Sequence, residues 1–114
     1  MIAILAIACI LNKPNVSVEN FGNGSFIYSY QVEAVGVKTA SPPSNTVNVS
    51  NFELSNSQYN VLSWSSVAGA TSYKVYRTFN DWNTKDIGLI GKTKATTYID
   101  DNSLTKGKKR INCE

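Results

Sequence analysis

The chain has 114 residues, with eleven Lys or Arg against eight Asp or Glu, a net charge of +3 and no histidine. That length suits one domain of ordinary size or two small incomplete ones, and folding at this size buries roughly two-thirds of the unfolded surface, enough for a core without covalent staples. Without histidine the commonest general base and metal ligand are missing, and a net charge this mild is too small to imply a partner.

Residues 1–11, MIAILAIACIL, form an apolar run about half as long as the ~20 residues a membrane span needs. No Lys or Arg precedes Lys13, whereas a signal peptide opens on a basic region and continues through a longer apolar one. Ala6-Ile7-Ala8-Cys9 is like a lipoprotein cleavage box but follows Met1 too closely. Three readings stand: an extra strand or packed arm over residues 1–15, a truncated or misassigned start, and targeting or lipid attachment. Asn12 to Asn15 is a break, punctuated by Pro14. Val16 to Asn20 is a short strand, and Phe21-Gly22-Asn23-Gly24-Ser25 a turn with two permissive glycines. Phe26 to Val35 is the strongest strand of the first half. Successive strand side chains point to opposite faces, so Tyr28, Tyr30, Val32 and Ala34 share one face, and Ile27, Gln31 and Glu33 the other. Ser41-Pro42-Pro43-Ser44 is a loop with fixed backbone angles. Thr46 to Val49 is a strand, and Asn51 to Gln58 a link that buries Phe52 and Leu54.

In the second half, Leu62 and Trp64 face inward together, opposite Val61, Ser63 and Ser65. Val67 to Thr71 is small and turn-compatible. Tyr73, Val75 and Arg77 then alternate with Lys74, Tyr76 and Thr78, which assigns one of Tyr73 and Tyr76 to the core and the other to the surface. Asn80 to Asp86 is a loop dense in turn residues. Ile87 to Thr93 is a strand whose Gly88 and Gly91 suggest an edge or a bulge. Thr96 to Asp100 is the last strand. No segment holds a 3.6-residue apolar period over three turns. Short strands at spacings of about ten residues predict an all-β sandwich or barrel.

The stretch LSWSSVAGATSYKVYR followed by GLIGKTKATTYIDDNSLTKG resembles the fibronectin type III fold. It is similar to that family's strand B with its Trp, the small-residue B–C turn, strand C, and then strands C′ and E. Leu104 before Gly107 matches the leucine of the E–F loop. The module is of the kind found in bacteriophage tail, fibre and other virion proteins and in secreted bacterial proteins. The resemblance covers roughly half of the chain and is more specific for fold than for function.

Such a module continues into strands F and G, but the chain ends instead at the basic tail 108–114. Residues 26–50 resemble the missing strands: Tyr28-x-Tyr30-x-Val32-x-Ala34 for F, with Tyr28 in the position of the corner tyrosine, and Ser44 to Ser50 for G. The strand order is then F-G-B-C-C′-E over residues 16–107, with the F/G-like hairpin at 26–50 and B-C-C′-E at 59–100. Three readings fit: a circularly permuted domain, since domain termini often lie close together; the end of one repeat joined to most of another; or a hairpin that completes a neighbouring copy, giving an oligomer through strand sharing.

Chemical motifs are sparse. Cys9 and Cys113 stand near opposite ends with no CxxC pair, so a structural zinc site is not expected; a disulfide between them requires the termini to meet. The basic tail has no aromatic interleaving and reads as a solvated terminus. Asp81, Asp86, Asp100 and Asp101 do not match a calcium loop, and Asp100-Asp101 reads as the closure of the E–F turn. Trp64 reads as core. Trp82, flanked by Asp81 and Asn83, has no obvious core to fill, and these three residues are the candidate ligand or partner contact; the alternative is that Trp82 folds onto the sandwich edge or against a neighbouring subunit.

The resulting expectation is a non-enzymatic structural or spacer module of a virion or secreted bacterial protein, docking other virion or surface subunits, with no cofactor, metal, nucleic acid or membrane span. The alternative is an adhesion module that binds a carbohydrate or protein receptor through loop 80–86.

Overall fold

In a computed structural model, which describes residues 10–80 and 85–103, the chain is built from β1 (Val16–Phe21), β2 (Phe26–Gly36), β3 (Thr39–Ala40), β4 (Val47–Asn51), β5 (Tyr59–Trp64), β6 (Ser72–Asn80), β7 (Lys85–Thr93) and β8 (Thr97–Asp100). No helix occurs among the described residues. The strands form two antiparallel sheets. The smaller runs β1-β5-β8; the larger runs β3-β2-β6-β7, with β4 also paired to β2. Strand β2 pairs with β6 from Tyr28↔Phe79 to Val35↔Ser72, and its other edge takes β4 from Phe26↔Asn51 to Tyr30↔Val47.

The alternation read from the sequence sets the register. Tyr28, Tyr30, Val32 and Ala34 are all buried, as are Leu62 and Trp64. They meet Val16, Tyr73, Val75 and Ile90 in one core between the sheets. A one-residue slip would turn every one of these side chains to solvent, so burial on one face fixes the pairing. Trp64 meets the Tyr73 ring edge-on at 5.4 Å, and its Nε1 is buried without a hydrogen-bond partner among the described residues. The indole therefore contributes area and ring contact rather than a polar link.

The β6–β7 pairing shifts register where Val75 faces Gly91 but Tyr76 faces Leu89. The extra residue, Ile90, is buried in the core, and an extra residue on one strand is what a bulge consists of. Gly91 is required beside it, because a Cβ there would collide with the Tyr98 ring. The Tyr98 hydroxyl donates to the Ile90 carbonyl at 3.0 Å, which ties β8 to β7 across the sandwich.

On the opposite side, β1 and β4 lie at the margins of different sheets and are clamped by side chains. The Asn45 amide copies a peptide partner for Val16: it accepts from the Val16 N–H at 3.1 Å and donates to the Val16 carbonyl at 3.2 Å. Asn20 Nδ2 donates to the Ser50 carbonyl at 2.7 Å. Unpaired strand edges are liabilities, and these amides occupy part of that edge.

Three details differ from the sequence reading. Tyr73 and Tyr76 are both buried. Tyr76 lies on the sheet face away from the core, where its hydroxyl donates to Glu33 Oε1 at 3.3 Å, and Glu33 is buried there too. Alternation assigns a side chain to a face; it does not say whether that face is covered. Phe52 is 48% exposed while Leu54 is buried. Asn80, Lys85 and Asp86 are strand residues rather than loop. Of the two buried tyrosines of β2, Tyr28 donates its hydroxyl to the Phe52 carbonyl at 2.9 Å and Tyr30 reaches Asp100 at the end of β8.

Trp64→Ala is expected to lower the unfolding free energy by about 3–5 kcal/mol. Trp64→Phe should cost far less, because no hydrogen bond leaves with the indole nitrogen. Urea titration of the two variants separates these outcomes; equal losses would mean that the nitrogen is bonded.

Candidate interaction surface

Two links cross between the sheets at one end of the sandwich: residues 22–25 from β1 to β2, and 52–58 from β4 to β5. A stacked aromatic pair with at least one exposed ring marks each crossing. Phe21, the last residue of β1, faces Tyr59, the first of β5, and their rings stack at 5.1 Å and 23°. Phe26, the first residue of β2, stacks on Phe52, just past β4, at 5.4 Å and 26°. Phe21, Phe26 and Phe52 are each close to half exposed. On the outer face of the small sheet the apolar surface continues from Tyr59 to Val61 and its cross-strand partner Ile99, itself exposed. Ring pairs of this kind bury apolar area against each other while leaving their outer faces available.

The links are held down by Asn51, which is fully buried. Its Oδ1 accepts from the Phe52 N–H at 2.8 Å, and its Nδ2 donates to Asn60 Oδ1 at 2.9 Å. Gly22, at φ 152°, lies so close to the Asn51 side chain that a Cβ would clash, and Gly24 lies equally close to the Asn51 and Phe52 backbone. Only glycine fits both places.

Beneath this end is a buried polar network spanning both sheets. Asn60 Nδ2 donates to the Tyr30 oxygen at 2.9 Å, and the Tyr30 hydroxyl donates to Asp100 Oδ2 at 2.6 Å. Arg77 Nη1 donates to both Asp100 oxygens, at 3.2 and 2.9 Å. Asp100 Oδ1 also accepts from the Asn102 N–H at 3.1 Å, and Arg77 Nη2 donates to Asn102 Oδ1 at 3.3 Å. The guanidinium lies 5.6 Å from the Tyr28 ring centroid, within cation–π range. Asp100 does more than close a turn: it is the buried anion to which Arg77 and Tyr30 converge. Asp101 is the turn residue, accepting from the Ser103 hydroxyl and N–H, and these bonds hold its carboxyl below the usual range. Burial first, and the Asp100 carboxylate second, push the Tyr30 hydroxyl far above the ordinary tyrosine value. Tyr28 and Tyr98 shift the same way, chiefly through burial.

Asp81, Trp82 and Asn83 lie outside the described residues, as do residues 1–9, Leu104, Gly107, both cysteines and the basic tail. The strands that flank 81–84 are described: β6 ends at Asn80 and β7 begins at Lys85, paired with each other at the same end as Phe26. The two aromatic pairs were not singled out in the sequence. The available signal was a phenylalanine on either margin of the Gly22–Ser25 turn. Among the described residues, no three His, Cys, Asp or Glu side chains are grouped to hold a metal ion.

No family model, no curated protein and no solved structure matches this chain.

Two predictions follow from the buried network. Arg77→Met strands the Asp100 charge and should cost about 3–5 kcal/mol; adding Asp100→Asn should recover much of that loss, whereas a single-variant cost near zero in urea titration would mean that the pair is solvated. Because the folded state holds the Tyr30 proton more tightly than the unfolded state, the stability linked to it is whole below about pH 10 and falls as the pH rises further. Denaturant titrations across that range should show the decline, with a shallower slope in Tyr30→Phe.

Proposed function

We propose that the chain is a fibronectin type III-like sandwich in permuted strand order, serving as a non-enzymatic structural or spacer module of a virion or secreted bacterial protein. The observation that carries this reading is the set of strand neighbours. With β1 as A, β5 as B, β8 as E, β6 as C, β7 as C′, β2 as F and β4 as G, the pairings β1-β5-β8 and β4-β2-β6-β7 become A-B-E and G-F-C-C′. That is the division of strands expected of immunoglobulin-type sandwiches. On this reading the N-terminal hairpin fills the large sheet that the C-terminal half leaves open. The function is geometric: two sheets locked by the Asp100 network hold ends and edges at fixed positions, where neighbouring virion or surface subunits dock.

Adhesion is the second reading, favoured by the stacked pairs Phe21–Tyr59 and Phe26–Phe52, whose phenylalanines are exposed. Aromatic rings on a rigid end supply contact area at low entropic cost, and a glycan or protein receptor would dock there or at Asp81, Trp82 and Asn83.

Light scattering on the intact chain tests the permutation. A monomer of stable fold is expected; a discrete dimer or trimer would replace self-closure with strand sharing between copies, and polydisperse aggregate would mark the end of one repeat joined to most of another. Tryptophan fluorescence across a glycan panel separates spacer from adhesin, with buried Trp64 as the internal reference. No response is expected of a spacer. Glycan-dependent quenching that Trp82→Ala or Phe52→Ala removes would overturn that reading in favour of adhesion.

A further inference from the structure

We propose that Asn23 is a site of spontaneous backbone modification, converting to aspartate and isoaspartate through a cyclic imide. The reaction needs an asparagine amide that can turn onto the next peptide nitrogen, and a following residue that does not obstruct the approach. Asn23-Gly24 is the one Asn-Gly step in the chain. Asn23 is exposed, and its amide makes no hydrogen bond within the described residues. Other asparagines fail one or both conditions. Asn20, Asn45, Asn48, Asn51, Asn60 and Asn102 are engaged in hydrogen bonds, and each precedes a residue with a side chain. Asn56 is exposed but precedes Ser57.

The glycine cannot be exchanged for a bulkier neighbour, because a Cβ at Gly24 would collide with the Asn51 and Phe52 backbone. The close contact that shapes the link thus requires the residue that leaves Asn23 unprotected. In the reaction, the Gly24 nitrogen gives up its proton and attacks the Asn23 Cγ. A C–N bond forms, and the amide nitrogen leaves as ammonia. Water then opens the imide at either carbonyl, restoring the normal backbone with an aspartate or routing the chain through the Asn23 β-carbon. The second product lengthens the β1–β2 link by a methylene, where Gly22 and Gly24 both lie against Asn51. Either product sets a negative charge between Phe21 and Phe26.

The test is timed incubation of the intact folded chain at mildly alkaline pH, then cleavage after glutamates and mass spectrometry of the peptide from Asn20 to Glu33. The expected result is the mass gain of amide-to-acid conversion at Asn23 ahead of every other asparagine, with release of ammonia, an isoaspartate fraction and a rate that rises with pH. The converted fraction should unfold at lower urea than the starting protein, while Asn23→Gln, which would need a larger ring, should stay unchanged. Retention of the Asn23 amide in the folded chain, while the urea-unfolded chain loses it, would overturn the proposal. So would earlier conversion at Asn56 or elsewhere, and conversion without loss of stability would overturn the clamping role of the link.

Discussion

The carboxylate of Asp100 is the point on which both sheets converge. It is withdrawn from water at the end of the small sheet, and its charge is met by Arg77 and its second oxygen by Tyr30, both from the large sheet. Asn60 and Asn51 extend the chain of bonds to β5 and β4. Five strands thus contribute one side chain each, and every member points inward only in the observed registers. A hydrocarbon core tolerates small shifts of one sheet over the other; a buried charge with directional partners does not, since any shift strands a polar group. The core is therefore graded. It is polar beneath the aromatic end and apolar around Val32, Ala34, Leu62, Val75 and Trp64.

Much of the all-β architecture was legible in the sequence because alternation is a local signal. Tyr28 to Ala34 and Leu62 with Trp64 each announce one buried face within a few residues. What stayed hidden depends on residues far apart. Asp100-Asp101 looks like a turn until Arg77 is brought beside it from another strand. Tyr76 and Glu33 have the parity of an outer face, and no local pattern says that this face is covered. The bulge at Ile90 was foreshadowed by Gly91, but its position follows from the Tyr98 ring above that glycine. The aromatic end was hidden for a similar reason. Phe21 and Phe26 lie close in sequence, yet their partners Tyr59 and Phe52 come from the next crossing, and stacking explains why Phe52 stays at the surface.

The same residues shape the end and fix its position. Asn51 holds the 22–25 link, is bonded to the Phe52 N–H, and reaches into the buried network. The surface rings are thus connected to the Asp100 ion pair through a few polar groups. Preorganisation of this kind is common to good spacers and good binders, because in both the exposed groups must not have to be ordered when a partner arrives.

Each sheet is closed by a pairing between strands far apart along the chain. β2 and β4 meet as a near neighbour pair, but β1 reaches β5 across that hairpin and its link, and β2 reaches β6 across β4, the link and β5. Contacts of long sequence separation slow folding because loop closure must precede their reward. Strands β1 to β4 alone complete neither sheet, and cover for the inward tyrosines of β2 comes with β5 and β6. The order of strands along the chain thus makes the cover over the β2 tyrosines depend on strands that lie far from them in sequence.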